Sequence, residues 1–171
     1  MKANVIVGGD IFQSKLQALV CPVNTRGYMG ALAGAFQTRF PEESQTYIAK
    51  CHEKQAFTVG DIHISPILNP QPSVVPGLRG VGPKWIIFFP TMVDPNSNSS
   101  TFIILMGLQN LIPLLRQLEI KSLALPALGC GVGGLEFKTV LETVDRILGP
   151  EPGLVVDLYA PLTAQATATG C

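Results

Sequence analysis

Short apolar, β-branched segments alternate with stretches of helical periodicity along nearly the whole chain, and this alternation constrains the fold more than any other feature. The candidate strands are Asn4 to Val7, Ala18 to Val23, Asp61 to Ile67, Trp85 to Phe89, Ser122 to Pro126 and Leu154 to Leu158. All are brief and rich in residues that suit a pleated, buried surface. Between them lie helical patterns at Gly30 to Phe40, Glu42 to Lys54, Thr101 to Leu118 and Glu136 to Leu148. Apolar strands joined by helices need both faces covered. The expected fold is therefore α/β, a three-layer α/β/α sandwich around a mixed, mostly parallel sheet. Pro41 can end one helix and start the next, and Gly149-Pro150 closes the last. Pro113 lies inside the third helical pattern, so that helix is expected to kink there or to be two pieces.

A chain of 171 residues supports one sizeable core, assigned here to 1–161, with a small, polar tail over 162–171 expected to fray. Asn69 to Pro83 is rich in proline and glycine and is expected to be a long surface loop, an insertion rather than a lid. Hydrophobic residues at 47% against 14% charged exclude a disordered chain. The longest apolar run, Trp85 to Pro90, is too short to span a bilayer, and the N-terminus has no basic-then-apolar leader pattern. A cytoplasmic protein without a membrane partner is expected. Twelve basic residues balance twelve acidic ones, which offers no general attraction for a nucleic-acid backbone. Cys21, Cys51, Cys130 and Cys171 form no metal-ligand spacing. They read as reduced thiols, and neither a metal nor a cofactor is expected.

The chemistry concentrates in two glycine-rich turns. Leu125-Pro-Ala-Leu-Gly-Cys-Gly-Val-Gly-Gly-Leu-Glu136 follows a strand and opens a helix, with Gly129, Gly131, Gly133 and Gly134 packed around Cys130 and Val132. Such a loop lets several backbone N–H groups converge on an anion, and the helix that follows adds its positive end. It lacks both the Gly-Lys-Ser/Thr ending of a P-loop and the spacing of a dinucleotide-binding turn. From the residues alone, a phosphate cradle and a plain tight turn stand equal. The second turn, Asn24-Thr-Arg-Gly-Tyr-Met-Gly-Ala31, again lies after a strand and before a helix. Two such turns can face each other across the mouth of a parallel sheet and clamp a diphosphate. Asn24 carries a carboxamide suited to a ribose diol, or else caps its own turn. Asp10, after Gly9 at the end of the first strand, can accept from an amino group or cap a short turn running through Gln13.

The order Gly9-Asp10-Ile11, Ala18 to Thr25, Gly27-Tyr-Met-Gly30, Phe89-Pro-Thr91 and Ala124 to Glu136 resembles the macro domain family. It is most similar to the branch that contains DNA ADP-ribosyl glycohydrolases and the terminal ADP-ribose protein glycohydrolase. The resemblance runs from about Val5 to Tyr159 and is most specific in Pro126 to Leu135. It implies a pocket for ADP-ribose or a derivative of it. Asp10 and Ile11 would address adenine, with Tyr159 stacking on the ring. Asn24, Gly27, Met29 and Gly30 would embrace the distal ribose, with Thr91 nearby, and Gly129 to Gly134 would hold the diphosphate.

The resemblance also implies two catalytic positions that this chain fills differently. Where the branch has a lysine after Phe-Pro-Thr, this sequence has Met92, and no lysine lies between Trp85 and Leu118. A thioether cannot form a Schiff base. Where the mono-ADP-ribosyl hydrolases carry an aspartate before the Gly-Ala pair, this chain has Ala33. Thr91 and Asn24 are the remaining catalytic candidates, with Asp94, Asn96, Arg26 and Tyr28 as further polar groups near the expected pocket. His52 is expected on a helix surface and His63 on a strand. The expected function is a sensor or sequestering module for ADP-ribose. An ADP-ribosyl glycohydrolase acting on ADP-ribosylated DNA or protein without the lysine is the alternative, and a module binding nucleic-acid ends is a third.

Overall fold

The computed structural model describes residues 2–53, 57–69 and 82–161. The expected tail over 162–171, and most of the loop expected over 69–83, lie outside the described residues. Six strands form one sheet: β1 Asn4–Ile6, β2 Ala18–Val23, β3 His63–Pro66, β4 Trp85–Pro90, β5 Ser122–Leu125 and β6 Val155–Tyr159. Their spatial order is β1-β6-β5-β2-β4-β3. All neighbours are parallel except β3, which runs antiparallel to β4 with His63 opposite Phe88. The helices are α1 Ala31–Arg39, α2 Pro41–Cys51, α3 Thr101–Gln117 and α4 Phe137–Leu148. The expected sandwich with a mixed, mostly parallel sheet is the one observed.

The alternation of the central strands divides the interior into two cores. Ala18, Val20, Ile87 and Phe89 point to one face, where they meet Ile104, Leu108 and Leu111 of α3 and Val140 and Val144 of α4. Leu19, Cys21, Val23, Ile86 and Phe88 point to the other, against Ala33 and Phe36 of α1 and Tyr47 of α2. Because side chains on a strand alternate with period two, a strand buried on both faces reads as one continuous apolar run, as β4 does.

α3 is a single helix with Pro113 inside it, so of the two outcomes expected there, a kink or two pieces, the second does not occur. Pro113 is exposed, and so is Gln109 one turn earlier. The carbonyl deprived of its N–H partner is thus on the wet side of the helix, where water replaces the lost bond. Apolar packing of Ile104, Leu108, Leu111 and Leu115 holds the other side. Glu119 ends the helix at φ 55°, with the N–H of Ile120 returning to the carbonyl of Leu115 at 2.9 Å.

The topology creates the site. After β2 the chain moves towards β4 and β3, whereas after β5 it moves through α4 to β6 on the opposite side. The β2/β5 boundary is therefore a switch point, and in open parallel sheets the loops leaving such a point diverge and open a crevice. Both glycine-rich turns leave the sheet there.

Candidate functional site

The C-terminal edge of the sheet gathers the loops after β1, β2, β4 and β5 and the end of β6. Every residue proposed from sequence to touch ligand lies on this edge or in the first turn of the element that follows. Direct bonds tie the loops together. The backbone N–H and the hydroxyl of Thr25 both donate to the carbonyl of Val93, at 3.0 and 2.6 Å. The N–H of Thr91, a buried residue, donates to the carbonyl of Val23 at 2.9 Å and extends the β2–β4 ladder. The N–H of Ser99 donates to the carbonyl of Gly133 at 3.0 Å and joins the loop after β4 to the one after β5.

The Gly129–Gly134 loop is wound tightly, with Gly129 at φ 75° and Gly134 at φ 80°. A side chain at either is strained. Its internal bonds run from Cys130 N–H to the carbonyl of Ala127 (3.1 Å), Gly134 N–H to that of Gly131 (3.1 Å) and Leu135 N–H to that of Gly129 (2.8 Å). The N–H groups of Gly131, Val132 and Gly133 donate to no acceptor among the described residues. Three neighbouring donors of this kind, in a loop whose Gly131 and Val132 are exposed, form a nest for an anion. The glycines serve different ends. A Cβ on Gly131 would meet nothing within 4 Å, whereas one on Gly133 would stand 2.6 Å from the carbonyl oxygen of Gly129. Gly133 is small because the loop packs on itself, and Gly131 borders open space. Burial pushes the Cys130 thiol up to about 11, so the cradle carries no thiolate at neutral pH.

The helix after this loop contributes less than the sequence implied. α4 begins at Phe137 behind Glu136, an exposed carboxylate at the N-cap position. The N-terminus of α1, by contrast, follows Gly30 and carries no side-chain cap. Its first N–H groups are available to a ligand at the same edge.

Asn24 is 6% exposed and its carboxamide is committed to its own turn. The amide nitrogen donates to the carbonyl of Tyr28 at 2.7 Å, and Oδ1 accepts from the N–H groups of Arg26 and Tyr28 at 2.9 and 3.3 Å. The hydroxyl of Tyr47, deep in the core, donates to the Asn24 carbonyl at 2.6 Å. Of the two roles open to Asn24, capping is the one the geometry displays. The turn passes through Gly27 at φ 84°, and Met29 packs against the α1/α2 core.

Asp10 also serves its own loop, accepting the N–H of Phe12 at 2.9 Å as cap of a short 3-10 turn over Ile11–Gln13. The carboxylate remains exposed, and the Ile11 N–H has no acceptor among the described residues. Tyr159 ends β6 next to this loop, where a Cβ on Gly9 would stand 3.2 Å from its ring. Asp94 forms a turn of its own with Asn96, whose N–H it accepts at 2.9 Å. Ala33 is buried against the core, where a carboxylate would be desolvated. Met92 is half-buried at the edge.

Beside the Asn24 turn opens a cleft of about 460 Å³, lined by Thr25, Arg26, Tyr28, Cys51, His52, Phe57, Thr58 and Val93. Sequence reasoning missed Cys51, Phe57, Thr58 and Val93, which belong to no motif, and it missed Ser99, one of a run of small polar residues before α3. His52 stands at the exposed end of α2, as expected, but also on this cleft. His63 is on β3, 2.9 Å from the hydroxyl of Thr46 and away from the site. No group of metal-binding side chains occurs among the described residues.

A macro domain family model matches residues 20–144 of the chain. A DNA ADP-ribosyl glycohydrolase from Thermus aquaticus is 30% identical over 160 residues, covering 91% of this chain and 41% of the relative. One from Mycobacterium tuberculosis is 33% identical over 154 residues, covering 90% and 41%. The chain thus spans about two fifths of these curated relatives. Among solved structures, the macrodomain of Mycobacterium tuberculosis DarG superposes with a TM-score of 0.81 at 31% identity, over 93% of this chain and 99% of that one. Thermosipho africanus DarTG in complex with ADP-ribose superposes with a TM-score of 0.78 at 32% identity, covering 94% and 42%.

Proposed function

This chain belongs to the macro domain family, and on that premise we propose that it binds ADP-ribose, or a nucleotide derived from it, at the C-terminal edge of its sheet. The observation that carries the reading is the set of N–H groups at Gly131, Val132 and Gly133, unpaired among the described residues, in a loop beside the β2/β5 switch point whose Gly131 and Val132 are exposed. Backbone donors bind a diphosphate without a net positive surface, which agrees with a formal charge of zero. The uncapped start of α1 faces the same edge and adds further donors. Asp10 and the Ile11 N–H offer an acceptor and a donor for the edge of adenine, and Tyr159 provides an aromatic face next to them. The complex of a similar protein with ADP-ribose supports the same ligand class.

In this reading the module is a sensor or sequestering domain, because the two positions where the resemblance places a catalytic lysine and a catalytic aspartate hold neither. Met92 has no amine and Ala33 no carboxylate. Calorimetric titration with ADP-ribose tests the reading: saturable binding with one site per chain is expected, and absence of heat and of thermal stabilisation at millimolar ligand contradicts it.

A second reading, removal of ADP-ribose from DNA or protein, draws on the similarity to DNA ADP-ribosyl glycohydrolases. The cleft beside the Asn24 turn gives it physical content, since Arg26 and Tyr28 are exposed there and can flank an anionic, planar group attached to the ligand. Incubation with ADP-ribosylated DNA, ADP-ribosylated protein and O-acetyl-ADP-ribose separates the two. Release of ADP-ribose from any of them at a rate above the uncatalysed one identifies an enzyme, and release from none identifies a binder.

A further inference from the structure

Two loops that reach the sheet edge separately meet at Ser99. Its N–H donates to the carbonyl of Gly133 at 3.0 Å. Its side chain lies against the glycine loop: a Cβ on Gly129 would fall 2.9 Å from the Ser99 hydroxyl oxygen, and one on Gly133 would fall 2.9 Å from the Ser99 Cβ. That hydroxyl oxygen is buried and has no hydrogen-bond partner among the described residues. The next residue shows the contrast. The Ser100 hydroxyl accepts the N–H of Ile103 at 3.2 Å and caps α3. Alanine at 99 would fill nearly the same space without burying an unpaired hydroxyl, so packing does not account for a serine here.

An unpaired hydroxyl below the loop and unpaired N–H groups on it belong to one unit, and such groups mark a site that is completed by something else. Resting on the ADP-ribose reading, we propose that Ser99 is a positioning residue of the anion site, whose hydroxyl gains its hydrogen bond, to the backbone of the Gly129–Gly134 loop, when that loop closes on the diphosphate. The empty protein carries the unpaired group and the occupied protein does not. Ser99 therefore raises affinity by disfavouring the empty state, at some cost to the stability of the free protein.

Ser99→Ala in the full chain tests this, with Ser44→Ala as control. Ser44 holds the other buried hydroxyl without a partner among the described residues, and it lies in α2, outside the loops of the site. The readings are the melting temperature without ligand and the dissociation constants for ADP-ribose and for inorganic pyrophosphate. Ser99→Ala should melt at or above wild type and bind both probes more weakly, by several-fold to about tenfold, the worth of one hydrogen bond. Ser44→Ala should melt at or above wild type and bind both as wild type does. If Ser99→Ala does not fold, Ser99→Cys, which keeps the size and donates poorly, should show the same weakening. A serine that serves only the fold gives the reverse, a lower melting temperature with unchanged affinity, and that result overturns the proposal. Wild type binding both probes while the Ser99 variants bind equally well defeats this inference alone. Wild type binding neither defeats the ADP-ribose reading and this one with it.

Discussion

At the scale of single residues, exposed Gly131 and buried Gly133 make different predictions for stability. Gly131→Leu should leave the melting temperature unchanged, because its Cβ meets nothing within 4 Å, yet it should abolish ADP-ribose binding by filling the space above the nest. Gly133→Ala should lower both, because its Cβ would press on the Gly129 carbonyl at 2.6 Å and force the loop open. Thermal melts and calorimetry on the pair decide the matter, and a Gly131→Leu protein that binds normally would show that the nest is misassigned. Asn24→Ala should cost about 1–3 kcal/mol of stability, since it strands the N–H groups of Arg26 and Tyr28 and the carbonyl of Tyr28. Denaturant unfolding measures it, and a change near zero would mean that water replaces the carboxamide in the turn. The sequence made the position of Asn24 legible but not its partners. A carboxamide after a strand suits a ribose and a turn equally, and only the fold brings Tyr47 from α2 to the same carbonyl. Ser99 was illegible for the same reason, since its contacts with Gly129 and Gly133 span some thirty residues of chain.

Among the elements, helices and strands were legible because apolar periodicity reports the face that is buried. Of the kink or break expected at Pro113, the break does not occur, because the proline falls on the solvent side of α3 while four apolar residues hold the other face. Pro113→Ala should therefore stabilise the protein by about 1–3 kcal/mol, through a restored backbone bond, and leave ligand affinity unchanged. A lower melting temperature would show that the proline shapes the helix for its packing. Gly107→Ala in the same helix should do the opposite. The added methyl would run into the ring of Phe89, which is fully buried in β4, and the overpacking should cost about 1–3 kcal/mol. Nothing in the sequence singled out Gly107, because a glycine in a helix shows its reason only when the neighbouring sheet is in place.

For the whole molecule, burial of ionisable groups sets a pH window. Burial raises the thiols of Cys21, Cys51 and Cys130 above their ordinary value of 9.0. The unfolded chain ionises first as pH rises, so this stability is present below pH 9.0 and is lost above it, through about 11 for Cys130. His63 moves the other way, held below 6.5 by burial and by Lys50 against the opposing pull of Glu53. Its contribution is present above 6.5 and is lost as pH falls. A melting-temperature profile should form a plateau between these limits and fall on both sides, and a profile still flat at pH 10.5 would contradict the assigned burial of the thiols. No helix among the described residues is long and apolar enough to cross a membrane. The sheet order that sets the β2/β5 switch point was the least legible feature of the molecule, since pairing between distant strands leaves no local mark, yet it brings the two glycine turns to one crevice. The most direct test of that crevice is an amide NMR titration with ADP-ribose. The N–H signals of Gly131, Val132 and Gly133 should move most, together with those at the start of α1 and at Ile11. Shifts confined to the cleft at His52 and Phe57, with the glycine loop unmoved, would contradict it.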